Sequence, residues 1–362
     1  MTLKLPFYAK AALIFIASYA FIYGLYICQN ILIPLLYAIL IAILLNPLVN
    51  FIHNKKISLS ISILISITFL LLIIGFISFF ISTQISIFVD NYPELKIKME
   101  SSSVKIIHWA SQYFNVKTSK INMWVKETKD GLFSDSGIFL GRTLMTVGTF
   151  CFVFLLFIVY LYFILAYKTL FLEFIRQMFK SVHHSAVIDV MYSIKTIIRR
   201  YLVGLSLEAL IMAVLNSIGL LILDIDFAIV IGITGAIVNI IPYFGGMIAI
   251  ALPMTIAFVT KDSSSYPLLV LGIYLIIQFI DNHFIIPVIV ASKVKLNALV
   301  TMLVVLSGGA LWGISGMFLS IPLTAILKVI FDHIDILKPW GFLMGNIVPT
   351  ESKFNFLMRK KT

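Results

Sequence analysis

Long apolar runs separated by short polar breaks dominate the chain. Residues 11–54 contain no Asp, Glu, Lys or Arg. As a helix this run would be roughly twice as long as the hydrocarbon core of a bilayer is thick, so it must turn around. Gln29, Asn30 and Pro34 supply a turn between two membrane helices, which the pattern places at residues 10–28 and 31–52.

The remaining pattern predicts an all-α, polytopic membrane protein with about eight membrane helices or helical hairpins. Its parts follow from where apolar runs, polar stretches and basic amphipathic spacing begin and end. They are N-terminal membrane helices (1–89), an extracytoplasmic helical insertion (90–140), a membrane span (141–167), a cytoplasmic amphipathic helix (168–200), a C-terminal membrane core (201–331) and a cytoplasmic tail (332–362).

Two apolar runs in the C-terminal core, residues 227–260 and 296–327, are too long for one crossing each and carry breakers at their middle. Such a run forms two half-length helices joined by a bend, and bare backbone at that depth must face protein or water. The lengths allow either re-entry from one face or two full crossings. The breaking positions that we expect to act as hinges, together with the prolines nearby, are Pro242, Gly245, Gly246, Gly308, Gly309, Gly313, Gly316, Pro287 and Pro322.

The composition also indicates that lipid surrounds most of the chain. The 362 residues are 61% hydrophobic and only 12% charged, whereas soluble domains are about 45–50% apolar and about 25% charged. The formal net charge of +11 comes from short basic clusters between apolar runs, which is typical of membrane orientation and anionic headgroups and gives no basic face for nucleic acid. We therefore expect a bacterial inner-membrane protein with both termini cytoplasmic, provided that each hairpin returns to the face it leaves.

Ionisable side chains inside membrane spans are costly and mark functional candidates. Glu208 and Asp281 both lie within predicted spans, at comparable depth from the basic clusters that precede or follow them. Gln278, Asp281 and Asn282 are spaced to share one helical face. We expect these residues to line a polar pathway, because a carboxyl group removed from water binds a proton more readily, as proton coupling requires. The alternative is a buried carboxylate satisfied by contacts between helices.

Other candidates have two interpretations each. Asn239 precedes Pro242 and could hydrogen-bond the backbone freed there or a substrate; we expect the backbone. His283 adjoins the acidic face and could titrate near neutral pH, although a histidine at the end of a span is often structural. Gly309 and Gly313 form a small-xxx-small pair, so the second bend is either a hinge or a site of close helix packing.

Two function classes other than transport, an enzyme and a scaffold, compete as interpretations of the sequence. The chain is predicted not to be an enzyme, because the Gly313–Gly316 segment fits the G-x-S-G pattern of intramembrane serine proteases but no histidine has a confirming context. Cys28 and Cys151 suggest neither a disulfide nor a zinc site, so no metal or cofactor is expected. A non-transporting envelope scaffold remains an alternative of another class, and it predicts that the polar residues within the membrane can be replaced by apolar ones without effect.

Four motifs in order resemble the autoinducer-2 exporter (AI-2E) family. They are Pro34 with Asn46-Pro47-Leu48-Val49, then Ile241-Pro242-Tyr243-Phe244-Gly245, then Gln278, Asp281, Asn282 and Pro287, and finally Gly308-Gly309 with Gly313-Ile314-Ser315-Gly316-Met317 and Pro322-Leu323. The chain departs from the family pattern at a few positions, with Leu205, Gly246, Ala291 and Asn297-Ala298 where we expect Gln, Pro, Gly and His-Pro.

The resemblance implies a multi-span permease that is a homo-oligomer in the lipid bilayer. It implies export of a small polar solute, the quorum-sensing signal autoinducer-2 or one like it, driven by an ion or solute gradient. It equally implies the alternative of sodium (or lithium)/proton antiport, and the departures weaken any transfer of substrate.

Overall fold

A computed structural model describes residues 6–90, 136–179, 184–261, 265–291 and 296–346, together with Ser111, Met123 and Ser263. Most of the predicted insertion at 90–140 therefore lies outside the described residues. So do the basic residues Lys4, Lys293 and Lys295 and the basic C-terminal end, on which the predicted orientation partly depends.

The described residues are helical almost throughout, and the predicted all-α class is confirmed. In chain order the helices are α1 (Phe7–Ile27), α2 (Gln29–His53), α3 (Leu59–Asp90), α4 (Ser136–Ala166), α5 (Lys168–Met178), α6 (His184–Ile222), α7 (Ala228–Asn239), α8 (Gly245–Thr260), α9 (Tyr266–Ile280), α10 (Ala298–His333) and α11 (Lys338–Met344). A π-helical segment, Asp281–Ala291, continues α9.

Within the described part of the chain, seven helices are long and apolar enough to cross a membrane: α1, α2, α3, α4, α6, α9 with its π-helical continuation, and α10. The shorter apolar helices α7 and α8 follow one another directly. None of the residues of α1 is buried within the protein, and its exposed Phe and Ile side chains need an apolar surrounding. The chain is thus a multi-pass membrane protein.

Two boundaries differ from the prediction. Pro34 lies inside α2 rather than in the turn, which is made by Cys28 alone between α1 and α2. The predicted amphipathic helix at 168–200 is two helices, because α5 ends at Met178 and α6 runs on unbroken from His184 into the membrane span. No proline interrupts the sequence of α6, so a change from amphipathic to uniformly apolar residues does not by itself end a helix.

The chain divides into two compact units. Unit 1 comprises Met1–Pro47, Phe163–Ser206 and Ile285–Thr362, and unit 2 comprises Leu48–Tyr162 and Leu207–Phe284. A buried cluster in unit 1 joins α2, α6 and α10 through Leu40, Ile198 and Leu319. The core of unit 2 joins the second half of α6 to α7, α8 and α9, and its buried members include Leu220, Ile231, Ala257, Val270 and Tyr274.

The first predicted hairpin is confirmed in unit 2. Helices α7 and α8, about 18 Å and 24 Å long at 1.5 Å per residue, are each shorter than the roughly 30 Å hydrocarbon core. Lys261, which follows α8, forms an ion pair of 3.0 Å with Asp224, which precedes α7. Because the two ends of the hairpin meet, the chain returns to the side from which it came. The arms are too short for full crossings, and this length favours re-entry.

The second hairpin lies within α10 in unit 1. The helical dihedral angles fail at Trp312 and at Gly313, where φ is +60° and a side chain would be strained. The arms before and after this bend fold back on each other, since a Cβ at Gly308 would lie 2.5 Å from the carbonyl oxygen of Gly316. Eight residues along a straight helix would separate these positions by about 12 Å.

Both ends of the second hairpin contact the segment around α11. Asn297 caps α10 and donates from Nδ2 to the carbonyl oxygen of Leu343 at 2.6 Å and of Gly345 at 3.1 Å. The described part of the predicted tail, which includes α11, is therefore packed against the hairpin. Gly341 of α11 directly contacts Asp332 at the end of α10.

Candidate functional site

Three polar side chains from two parts of unit 2 meet at Asp281. Asn239, the last residue of α7, donates from Nδ2 to Oδ2 of Asp281 at 3.2 Å. Gln278, one turn before Asp281 in α9, approaches the same oxygen from Nε2 at 3.5 Å. The side chain of Asp281 is fully buried, so these contacts stand in for water.

The helix changes character at this point. α9 ends at Ile280, and the π-helical segment begins with Asp281 and contains Pro287. A proline has no N–H to donate to the preceding turn and cannot continue a regular α-helix without distortion. π-helical turns within membrane helices are frequent at functional sites.

The second carboxyl oxygen of Asp281 is unpaired among the described residues. Oδ1 is buried and has no hydrogen-bond partner among the described residues. A buried carboxyl oxygen without a partner costs roughly 1–3 kcal/mol or more. The site is therefore suited to a group that brings a positive charge or a hydrogen-bond donor, such as a proton, a cation or a polar solute.

Glu208 supplies a second acid. It lies in the part of α6 that belongs to unit 2, is 6% exposed, and is close enough to Asp281 for their charges to repel each other. Two carboxylates in a water-poor site cannot both remain charged without compensation, so they favour a shared proton or a bound cation. We call Glu208, Asn239, Gln278 and Asp281 the carboxylate cluster.

The bend of the first hairpin lies against the carboxylate cluster. A Cβ at Gly246 would be 2.9 Å from Oε1 of Gln278 and 3.4 Å from Oδ1 of Asn239. A Cβ at Gly245 would overlap the carbonyl oxygen of Val238, so only glycine fits there. The C-terminal end of α7 and the N-terminal end of α8 thus face the cluster, and such broken helix ends bring oriented backbone dipoles to a buried site.

The structure brings together four of the six predicted pathway residues, namely Glu208, Asn239, Gln278 and Asp281. The expectation that Asn239 bonds the freed backbone is wrong, because its amide donates to Asp281 instead. Asn282 is exposed, so the face predicted from α-helical spacing is confined to Gln278 and Asp281; the spacing changes where the π-helical segment begins.

His283 is also exposed, and it is not part of the cluster. Its ring stacks on Phe279 with 4.2 Å between centroids, and Nδ1 lies 3.0 Å from the carbonyl oxygen of the same residue. These are local contacts within one helix turn. They fit a structural histidine at the end of a span.

The predicted hinge residues of the second hairpin belong to unit 1. The packing pair is Gly308 with Gly316, not Gly309 with Gly313 as the spacing suggested, because the chain reverses between them. Gly309 contacts Met317, whereas Gly313 forms the bend and has open space beside it. Pro287 is exposed and Pro322 is buried within α10.

Sequence analysis missed two buried polar residues of unit 2, Asn216 and Tyr274, which are 1% and 3% exposed. Neither is ionised at neutral pH, so the search for charges in membrane spans passed over them. Their spacing was a usable signal, since Asn216 follows Glu208 by eight residues and Tyr274 precedes Gln278 by four, on the same helix faces.

Among the described residues, no three His, Cys, Asp or Glu side chains gather in a way that could hold a metal ion. The carboxylate cluster offers two acids and two amides.

Comparison with known proteins places these features in context. The profile described as AI-2E family transporter matches residues 14–336. The chain is 34% identical to YrrI of Bacillus subtilis (strain 168) over 133 residues, 37% of each protein. It is 34% identical to the AI-2 transport protein TqsA of Escherichia coli (strain K12) over 111 residues, 31% of this chain and 32% of TqsA. The chain thus spans about a third of the length of these relatives.

Proposed function

This chain belongs to the AI-2E transporter family, and we propose that it exports a small polar solute, of the kind represented by autoinducer-2, using an ion or solute gradient. The observation that carries this proposal is the carboxylate cluster. A fully buried Asp281 with an unpaired oxygen lies beside the bend of a broken-helix hairpin. The similarity to the AI-2 transport protein TqsA supports a signal molecule as cargo.

The geometry suggests how a gradient could drive movement. Asn239 ends α7, so its bond to Asp281 links the hairpin to α9. A hydrogen bond to an ionised carboxylate is roughly twice as strong as one to a neutral group. Protonation or cation binding at Asp281 therefore weakens the hydrogen bond that ties the hairpin to α9. The hairpin can then move about its bend at Pro242, Gly245 and Gly246.

Sodium (or lithium)/proton antiport is the second candidate, and the pairing of Glu208 with Asp281 favours it. Two acids that repel each other accept either a proton or a monovalent cation in exchange. In that case the cluster holds the transported ion itself, and Asn239 and Gln278 complete its oxygen shell through their amide carbonyls.

We further propose a bacterial inner-membrane location with both termini cytoplasmic, in a homo-oligomer. Lys55, Lys56 and Lys168 follow spans that would end at the cytoplasmic face, and Asp224 and Asp226 would then lie outside. This path requires each hairpin to return to the face it leaves. The ion pair between the ends of the first hairpin supports this, and so do the contacts of both ends of the second hairpin with α11.

Flux in proteoliposomes tests the function directly. The purified full-length chain is reconstituted, and entry of autoinducer-2 and of lithium is followed in turn under imposed proton and sodium gradients. We expect Glu208→Gln to lower gradient-driven flux by about tenfold or more, while Glu173→Gln, at an exposed position of α5, matches the unaltered protein.

The outcomes separate the candidates. Movement of autoinducer-2 supports export, and lithium/proton exchange without solute movement supports antiport. Absence of any gradient-driven flux, with Glu208→Gln indistinguishable from the unaltered protein, would contradict both and favour a scaffold.

A further inference from the structure

Helix α5 has an apolar face that the described chain leaves largely uncovered. Its large apolar side chains recur at helical spacing on one side, and they are Leu170, Phe171, Phe174 and Met178. These four side chains are 47–65% exposed. The other side of the helix is polar, and there Arg176 and Gln177 both donate to the carboxylate of Glu173. A contiguous apolar face of this kind marks a surface that contacts a membrane or a partner.

The position of α5 in the chain favours the membrane. The apolar span of α4 ends at Ala166, and α5 begins with Lys168 two residues later. Nζ of Lys168 donates to Oδ1 of Asn46, in the last two turns of the membrane helix α2, at 2.9 Å. With a length of about 16 Å, α5 is too short to cross the bilayer. A short amphipathic helix held at the end of a span lies along the boundary between hydrocarbon and water.

Two exposed cations of α6 lie at the level of the lipid headgroups. Lys195 and Arg199 are one helical turn apart, and both are exposed. The uniformly apolar part of α6 begins at Tyr201, so Arg199 and Lys195 precede it by about 3 Å and 9 Å along the helix. Among the ion pairs that the described residues form, none involves either cation. Both side chains can therefore meet a negative group outside the protein.

Lys168 connects the apolar face of α5 with these cations. Burial, and to a smaller extent the positive charge of Lys195, lower the pKa of Lys168. The two lysines are thus close enough to repel each other, and a negative charge beside them relieves that repulsion. Asn46, α5 and this part of α6 all belong to unit 1. The surface combines an apolar face with clustered positive charge, which suits a ligand that has acyl chains and an anionic group.

We propose that α5 and the Lys195–Arg199 turn of α6 form a docking surface for anionic phospholipid. The apolar face of α5 packs on the acyl chains, Lys195 and Arg199 donate to the oxygens of the headgroup phosphate, and Lys168 adds positive charge beside them. A zwitterionic phospholipid offers the same chains without the net negative charge, so the surface distinguishes the two lipids. The proposal does not depend on which solute or ion the protein moves.

Lipid selectivity tests the cations. The purified full-length protein is freed of lipid in detergent and titrated with dioleoyl phosphatidylglycerol and, separately, with dioleoyl phosphatidylcholine, and native mass spectrometry counts the bound lipid. We expect phosphatidylglycerol to bind more tightly, and its affinity to fall about fivefold in Lys195→Gln and in Arg199→Gln. Lys338→Gln is the matched control, because it removes a positive charge that already pairs with Asp335. An unchanged Tm shows that each variant is folded.

Fluorescence quenching tests the apolar face. Phe174→Trp and Gln177→Trp place a tryptophan on the apolar and the polar side of α5. Each full-length variant is reconstituted in nanodiscs of phosphatidylglycerol with or without bromine on the acyl chains, and the unaltered protein gives the emission of the native tryptophans. We expect brominated lipid to quench most of the emission that Phe174→Trp adds and to leave the emission added by Gln177→Trp nearly unchanged.

The two measurements together decide the proposal. Loss of phosphatidylglycerol affinity in both charge variants, with quenching confined to Phe174→Trp, supports the docking surface. Equal affinity in the unaltered protein and the two folded charge variants would overturn it, since the cations would then not contact the headgroup. Quenching that is absent for Phe174→Trp would also overturn it and assign the apolar face to a protein partner, such as a second copy of the chain. Equal quenching at both positions would show that α5 has no preferred side toward the lipid, and the proposal would fail.

Discussion

Asn239 and Asp281 are joined by a side-chain hydrogen bond of 3.2 Å across 42 residues of sequence. One partner ends the first arm of a broken-helix hairpin, and the other begins a π-helical segment. The bond therefore connects the only fully buried acid in the described chain to an element with a glycine-rich bend. A change in the charge of Asp281 therefore changes how strongly the hairpin is held, because the strength of this hydrogen bond depends on that charge.

Asp281→Asn is expected to abolish coupling to a proton or sodium gradient. Asparagine has nearly the shape of aspartate and can still contact Asn239 and Gln278, but it can neither ionise nor exchange a proton. Gradient-driven flux in proteoliposomes should fall at least about tenfold, and its dependence on pH should vanish. Asp189→Asn, at an exposed position of α6, is the control. Flux and pH profile equal to those of the unaltered protein would remove Asp281 from the mechanism.

Asn239→Leu is expected to destabilise the protein, because it removes the best donor to a buried carboxyl group. The loss should be about 1–3 kcal/mol in the free energy of unfolding, seen as a lower Tm in detergent. Asn282→Leu, at the exposed neighbour of Asp281, makes the same change of side chain and should leave the Tm nearly unchanged. Equal effects of the two substitutions would show that the 3.2 Å bond contributes nothing specific.

The hairpins were predictable from the sequence, whereas the partners of their residues were not. An apolar run that is too long for one crossing and has Pro and Gly at its middle predicts a bend, because these residues interrupt a regular helix. Which side chains meet across the bend depends on tertiary structure. Gly309 and Gly313 have helical packing spacing, yet Gly308 and Gly316 touch, because the reversal at Gly313 replaces neighbours along one helix with neighbours across two.

Within the spans, the sequence indicates how far along the helix a residue lies better than which side of the helix it occupies. Glu208 was placed correctly inside a span, since counting from a basic cluster needs only the helical rise. Asn216 and Tyr274 were missed because the search followed charged side chains, although each lies one or two helical turns from a residue of the carboxylate cluster. The π-helical segment that turns Asn282 outward has no signal in spacing alone, although Pro287 offers a local cause.

Gly316→Ala is expected to disrupt the second hairpin. A Cβ there would overlap the carbonyl oxygen of Gly308, a backbone atom that cannot move without shifting the facing arm. Overpacking of this kind costs about 1–3 kcal/mol or more, so the Tm in detergent should fall by several degrees. Gly24→Ala in α1, where nothing lies within 4 Å of a Cβ, should be neutral. A Tm unaffected by Gly316→Ala would mean that the two arms do not touch.

The ion pair that closes the first hairpin predicts a dependence of stability on pH. The hydrogen bond that Lys261 donates to Asp224 raises the pKa of Lys261 above its ordinary value of 10.5. A group whose pKa is raised by folding stabilises the native state fully below its ordinary pKa and loses this contribution as pH rises through the higher, folded value. Asp224 is 97% exposed, so the contribution is that of a surface pair, about 1 kcal/mol or less.

Asp224→Asn should therefore lower the Tm at pH 8, and the difference from the unaltered protein should disappear once Lys261 is neutral, well above pH 10.5. Asp226→Asn is the control, because Asp226 acts on Lys261 only through its charge and accepts no hydrogen bond from it; its effect at pH 8 should be smaller. Raising the salt concentration should shrink both effects, since exposed charges are screened. A Tm difference that persists unchanged into strong alkali would show that Asp224 holds the hairpin ends together by some contact other than Lys261, and the closure of the hairpin would then need a different physical cause.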